Sequence, residues 1–174
     1  MPKERPPKER YYLDIAKQIA ERSTCFRNKG GAIIVRDDQI VAAGYVGAPR
    51  KTKDCLEREE CLREKLNIPS GQRYELCRSV HSEMNAIINA ARAGVSLYEG
   101  DIFIYCHERD SLPCFMCKKM IINSGLQRVI YSTKDGGYKT VSVEEWVRDW
   151  QKWDMVDDKE KYGDDINKEN EREQ

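Results

Sequence analysis

Two short stretches, His81-Ser82-Glu83 and Pro113-Cys114-Phe115-Met116-Cys117, make chemical sense only together, so the fold must bring these distant segments to one place. The first offers an imidazole and a carboxylate. The second offers two thiols one helical turn apart, a spacing that puts both on one face. Taken singly, Cys114 and Cys117 read as buried small residues or a redox pair, and His81 as a core histidine satisfied by hydrogen bonds. Taken together, one imidazole and two thiols without an obvious fourth protein ligand describe a zinc ion with an open coordination position. That is the arrangement of a catalytic site, whereas structural sites are closed. Zinc brings the pKa of a bound water down to about 7, and the spare carboxylate of Glu83 is suited to moving the protons. The reaction class implied is hydrolysis at an electrophilic carbon.

The pattern around these stretches predicts alternating helices and strands. Tyr12, Ile15, Ala16, Ile19 and Ala20 recur at helical spacing, giving a first amphipathic helix that ends near Ser23. Strands are expected at 31–36 and 39–45, joined by Asp37-Asp38, and their near-continuous Ile and Val predict burial on both faces. The His81 stretch opens a helix that Gly94 should end in a left-handed cap. A strand at 101–106, a helix at 114–123 stopped by Gly125, and a strand at 128–131 follow. Val143, Trp146, Val147 and Trp150 mark the last periodic element. This order implies an α/β fold in three layers, α/β/α, with helices on both faces of a mixed sheet. Both candidate metal stretches begin helices, whose positive N-terminal ends favour thiolates.

At 174 residues with 40% apolar content, the chain is expected to form one domain over 10–156, preceded by a charged extension at 1–9. The polar residues 157–174 cannot contribute to a core and are expected to be disordered. Lys plus Arg and Asp plus Glu number 30 each, so the basic excess of a nucleic-acid binder is missing. No run approaches the length of a membrane span, and the N-terminus lacks the apolar stretch of a secretory signal, which predicts a cytoplasmic protein without a membrane partner. In such a reducing compartment seven cysteines read as metal ligands rather than disulfides.

The chain resembles the deoxycytidylate (dCMP) deaminase family, within the cytidine deaminase-like superfamily. The likeness is carried by Arg22-Ser23-Thr24-Cys25, by Gly31-Ala32-Ile33-Ile34-Val35, by the segments 44–50 and 77–87, and by Pro113 to Cys117. The two metal stretches match the signature of zinc nucleobase deaminases, in which an activated water attacks the amino-bearing ring carbon. The resemblance implies a five-stranded mixed sheet, a catalytic zinc held by His81, Cys114 and Cys117, Glu83 as proton shuttle, a homo-oligomer and a small nucleotide substrate. The implied reaction is hydrolysis of dCMP to dUMP in pyrimidine deoxynucleotide metabolism. Deamination of another base, nucleoside or nucleotide, and a zinc-stabilised binding module without chemistry, are the alternatives. The substrate contacts expected on this basis are Val46, Arg50, Asn85 and Tyr131. Val46 departs from the family, which generally has Asn there, and the loop 106–112 is unusually charged and expected at the pocket rim.

Cys25, Cys55, Cys61 and Cys77 form a second constellation. Four thiolates are the donor set of a closed structural zinc, and three of these residues lie in or beside the long irregular stretch 46–79, which needs an anchor. Some members of the resembled family carry a second zinc. The competing reading is four free thiols, since their spacings match no compact finger.

Overall fold

The computed structural model describes residues 5–69, 71–107 and 109–152. The core is a five-stranded mixed sheet. β1 (Gly30–Arg36) and β2 (Gln39–Tyr45) form an antiparallel hairpin. Asp37 and Asp38 turn it with φ of 52° and 58°, the left-handed conformation that a two-residue hairpin loop demands. β3 (Asp101–Cys106) pairs antiparallel with β1, β4 (Arg128–Ser132) parallel with β3, and β5 (Tyr138–Ser142) antiparallel with β4, giving the order β2-β1-β3-β4-β5. A parallel neighbour requires a crossover, and α5 (Phe115–Asn123) supplies it between β3 and β4.

The two-residue period of the strands divides the core into two layers. Ile33 and Val35 of β1, Phe103 of β3 and Ile130 of β4 face α1 (Lys8–Ala20), meeting Tyr12, Leu13 and Ala16. Ala32 and Ile34, Ile102 and Ile104, and Val129 and Tyr131 point the other way. There they meet α4 (Ser82–Ala93), α5 and α6 (Val143–Lys152) through Ala86, Ala90, Ile121 and Trp146. Truncating any of these fully buried isoleucines to Ala would cost about 2–5 kcal/mol.

Gly44 sets the position of α4. A Cβ there would collide with the Ala86 nitrogen and the Ser82 carbonyl, so only glycine lets the first turns of α4 lie directly on β2. His81 and Glu83 are thereby fixed relative to the sheet.

Several boundaries differ from expectation. α1 begins at Lys8, inside the expected extension, and ends at Ala20, because the Ser23 hydroxyl is committed to both backbone groups of Gly30 (3.0 and 3.1 Å). β1 is buried nearly throughout, but β2 is an edge strand with exposed Gln39, Ile40 and Tyr45, which overturns its expected burial on both faces. The stretch 46–79 holds two short helices, α2 (Cys55–Arg58) and α3 (Leu62–Lys65), and a 3-10 turn at Tyr74–Leu76. α2 is started by Asp54, which exchanges hydrogen bonds with Glu57 (both 2.9 Å) in a capping box. No described helix is long and apolar enough to cross a membrane. The expected polar tail, 157–174, lies outside the described residues.

Candidate active site

His81 and Cys114 occupy equivalent places. Each is the residue immediately before its helix, α4 or α5, with an extended backbone (φ −67°, ψ 154° and φ −67°, ψ 166°). Neither side chain caps its own helix, so both are available to each other. His81 Nδ1 lies 3.4 Å from Cys114 Sγ and 3.5 Å from Cys117 Sγ. Zinc bonds of ordinary length to nitrogen and sulfur, at a tetrahedral angle, require an N···S separation of about 3.5 Å. The three donors fit that metal, and all their ligand atoms lie within 4.8 Å of one another.

The electrostatics suit a cation. The hydrogen bond from Cys117 lowers the Cys114 thiol to about 4, against burial and with help from His81. The same hydrogen bond, with burial and the Glu83 charge, pushes Cys117 up. Burial works against the charged form of His81, but the Cys114 contact and the nearby Glu83 outweigh it and raise the imidazole above its ordinary value. The pair therefore shares its protons unequally until a cation displaces them.

Glu83 is only 6% exposed and stands outside the three-ligand set. Ser82 donates to its Oε2 at 2.9 Å, which fixes the carboxylate's direction. Glu83 helps push up the Cys117 thiol and lines a cavity of about 130 Å³ with His81, Cys114, Cys106, Asn28, Val46 and Tyr74. The loop 106–112 supplies one wall of this cavity through Arg109, Asp110, Ser111 and Leu112, as expected of a rim. Ser111 holds it in shape, its hydroxyl accepting from the Cys106 amide (2.6 Å) and meeting the Ser132 hydroxyl (2.7 Å).

Of the expected substrate contacts, only Val46 lines the cavity, 4% exposed and against Gly30. The other three are placed elsewhere. Asn85 donates to the carbonyls of Tyr45 (2.8 Å) and Val80 (3.4 Å), tying α4 to the chain beside it. Arg50 donates to Asn89 Oδ1 (2.7 Å) in a separate surface depression shared with Asn85. Tyr131 is 7% exposed in the core between β4 and the α4 side.

Cys25, Cys55, Cys61 and Cys77 line one cavity of about 160 Å³, so the fold does gather them. Burial pushes the Cys55 thiol up, and the other three thiols add to the shift. Among the described residues, however, only His81, Cys114 and Cys117 bring their donor atoms within metal-holding distance.

Tyr74, Asn28 and Ser82 are site residues that the sequence did not single out. The Tyr74 ring meets His81 edge-on, with centroids 4.9 Å apart at 88°. Only the position of Ser82 beside Glu83 was a usable signal; Asn28 and Tyr74 come from segments with no motif of their own.

Residues 6–133 match the family described as cytidine and deoxycytidylate deaminase zinc-binding region, and the chain belongs to that family. It is 32% identical over 129 residues to a deoxycytidylate deaminase of Schizosaccharomyces pombe, covering 74% of this chain but 38% of that protein. It is 34% identical over 135 residues to the deoxycytidylate deaminase of Mycobacterium phage D29, covering 73% of this chain and 95% of the phage protein. The chain thus spans well under half the length of the yeast relative and nearly all of the phage one. The crystal structure of a dCMP deaminase from the cyanophage S-TIM5 superposes with a TM-score of 0.53 at 25% identity, over 72% of this chain and 82% of that one. These likenesses agree with the expected five-stranded cytidine deaminase-like fold.

Proposed function

We propose that this protein is a zinc-dependent deaminase that hydrolyses dCMP to dUMP. The observation that carries the reading is the His81–Cys114–Cys117 cluster at zinc-fitting distances, with the buried carboxylate of Glu83 beside it but outside the ligand set. A purely structural site has no use for such an acid. When bound, zinc supplies a Lewis acid that makes water a competent nucleophile near neutral pH. Glu83, oriented by Ser82, takes a proton from the attacking water and returns protons to the ring nitrogen and the departing ammonia. Tyr74, Val46 and Asn28 wall the cavity and keep bulk water from the ring. The relatives named deoxycytidylate deaminase support dCMP as the substrate.

The reading extends to a second zinc held by Cys25, Cys55, Cys61 and Cys77, supported by their shared cavity and by a four-thiolate donor set of the closed structural type. It extends also to a cytoplasmic homo-oligomer without nucleic-acid partners. Exposed Ile88 on α4 and Met116 on α5 support association, and the balanced charge supports a small-molecule substrate. The second reading, deamination of a different nucleotide, is favoured by one observation: Val46 presents an apolar surface to the cavity where the family generally has an amide.

Ammonia release from a panel of cytosine, adenine and guanine nucleosides and monophosphates tests the proposal. Turnover of dCMP with the highest specificity constant is the expected result. A purine or a ribonucleotide in first place would move the protein to the second reading.

A further inference from the structure

The His81 side chain has open space on several sides. It lines the cavity of about 130 Å³ that contains Glu83, the cavity of about 160 Å³ that contains the four cysteines, and a mainly apolar one of about 450 Å³ walled by Val80, Met84 and Met116. A ligand imidazole bordered by three chambers needs something to stop it turning, because a half-turn of the ring would put a carbon where Nδ1 must meet the metal. A zinc-bound histidine is ordinarily held by a hydrogen bond from its second ring nitrogen to a carboxylate or a carbonyl. Here the ring's hydrogen-bonding contacts both run from Nδ1, to the Cys114 and Cys117 sulfurs (3.4 and 3.5 Å), and no protein group among the described residues accepts from Nε2.

Tyr74 is what meets the ring instead. The two rings stand edge to face, with centroids 4.9 Å apart and planes at 88°, an arrangement in which aromatic pairs attract. At that separation the imidazole cannot turn unless the tyrosine moves. Tyr74 lines the same three cavities as His81, so its ring is the wall that they share at this point. The tyrosine is itself held in place. Its carbonyl accepts from the Cys77 amide (3.0 Å) in the 3-10 turn, and Arg73 before it has a φ of 50°, a left-handed conformation that a residue with a side chain keeps only where its surroundings impose it. The Arg63 guanidinium lies over the same tyrosine ring, 5.0 Å from its centroid. Arg63 is only 6% exposed and is pinned by donation from Nη2 to the Pro69 carbonyl (2.7 Å), and a cation–π contact is strongest when the cation is desolvated in this way.

We propose that Tyr74, backed by the Arg63 guanidinium, is the positioning residue that keeps the His81 imidazole turned with Nδ1 toward the metal, in place of the hydrogen-bonded carboxylate or carbonyl that usually does so. The inference rests on the zinc deaminase reading above. It gives the buried Arg63 a part in catalysis without contact with substrate or metal: the guanidinium holds the tyrosine, and the tyrosine holds the ligand.

The test follows the imidazole signals of histidine-labelled protein by nuclear magnetic resonance while free zinc is buffered from saturation to depletion. The chain has two histidines, so His81 reports the catalytic site alone and His107 serves as the internal reference, whatever metal the four cysteines hold. Wild-type protein, Tyr74→Leu, Tyr74→Phe and Arg63→Lys are compared, with kcat, KM and thermal unfolding measured on the same preparations. Tyr74→Leu should weaken zinc binding at His81 about ten- to a hundredfold, the usual loss when the partner of a ligand histidine is removed, and should split or broaden its single set of signals. At saturating zinc its kcat should fall more than its KM rises. Tyr74→Phe keeps the ring and should restore the single set and an affinity near that of the wild type. Arg63→Lys, which loses the planar stacking group, should weaken zinc binding by less, and should have no further effect when combined with Tyr74→Leu.

Unchanged zinc affinity and a single His81 set in Tyr74→Leu, with only KM raised, would overturn the proposal and leave Tyr74 as a cavity wall. Failure of Tyr74→Phe to restore the affinity would overturn it too, since the hydroxyl and not the ring would then be at work. Should Tyr74→Leu not fold, Arg63→Lys decides: an affinity equal to that of the wild type overturns the proposal. His81 signals that ignore zinc in the wild-type protein would defeat the zinc reading itself, and this inference with it.

Discussion

Two groups of cysteines lie close together in this protein, and the fold treats them differently. Cys117 lies in α5, the crossover between β3 and β4, Cys114 immediately precedes that helix, and their partner His81 immediately precedes α4, which Gly44 lets lie directly on β2. Their donors sit at ligand distance with no adjustment needed. Cys25 lies in a loop, Cys55 opens the four-residue α2, Cys61 immediately precedes the four-residue α3, and Cys77 immediately follows the 3-10 turn. They line a common cavity but do not close on a point. Preorganisation by long elements that pack on a sheet suits a site that must hold an open coordination position. A site assembled from short pieces depends on its ion to draw it together, as is usual where metal binding and folding are coupled.

Four substitutions would break or sharpen this contrast. The largest effect is expected for Glu83→Gln, which keeps the shape of the preorganised site but removes the carboxylate to which the proposed function gives the proton transfers. Turnover should fall about a hundred- to ten-thousandfold while zinc content is unchanged. Simultaneous loss of zinc would show that Glu83 belongs to the ligand set. Next is Gly44→Ala, which forces α4 away from β2 without touching a donor atom. Overpacking against backbone should cost about 1–3 kcal/mol, read from denaturant unfolding, and should lower turnover as His81 and Glu83 shift together. Stability and turnover both at wild-type level would show that the strand–helix contact does not position the site.

How far these groups could be read from sequence differs for a physical reason. The catalytic cluster was legible because helix starts, ligand chemistry and spacing all reinforce one another in short motifs. The strands β1 and β3 were legible because they are buried. β5, Tyr-Lys-Thr-Val-Ser, was not found by pattern, since it is a mostly exposed edge strand. Tyr131, one of the expected substrate contacts, could border the base or only pack at the end of its strand, and the structure shows it 7% exposed within β4, among the core residues.

The smaller effects concern the loosely assembled group and the cavity between. Cys61→Ser should reduce zinc from two ions per chain to one and lower the melting temperature, with the remaining zinc still supporting turnover. A wild-type protein that carries a single zinc when prepared without chelator would leave the four thiols as cavity lining only. Val46→Asn is expected to change the specificity constant for dCMP only several-fold, in keeping with about 0.5–1.5 kcal/mol for one hydrogen bond. An increase would mark the position as a base contact; impaired dCMP turnover with no substrate improved would show that Val46 acts by packing against Gly30.

The central claim, hydrolytic deamination at the His81–Cys114–Cys117 site with Glu83 moving the protons, is tested most directly by turnover of dCMP in water enriched in heavy oxygen. Zinc-loaded wild-type protein should release ammonia and dUMP in equal amounts, with the label at the ring carbonyl that replaces the amino group, and Glu83→Gln should form almost none of the labelled product. Unlabelled dUMP, or equal labelled product from the Glu83→Gln protein, would contradict the account.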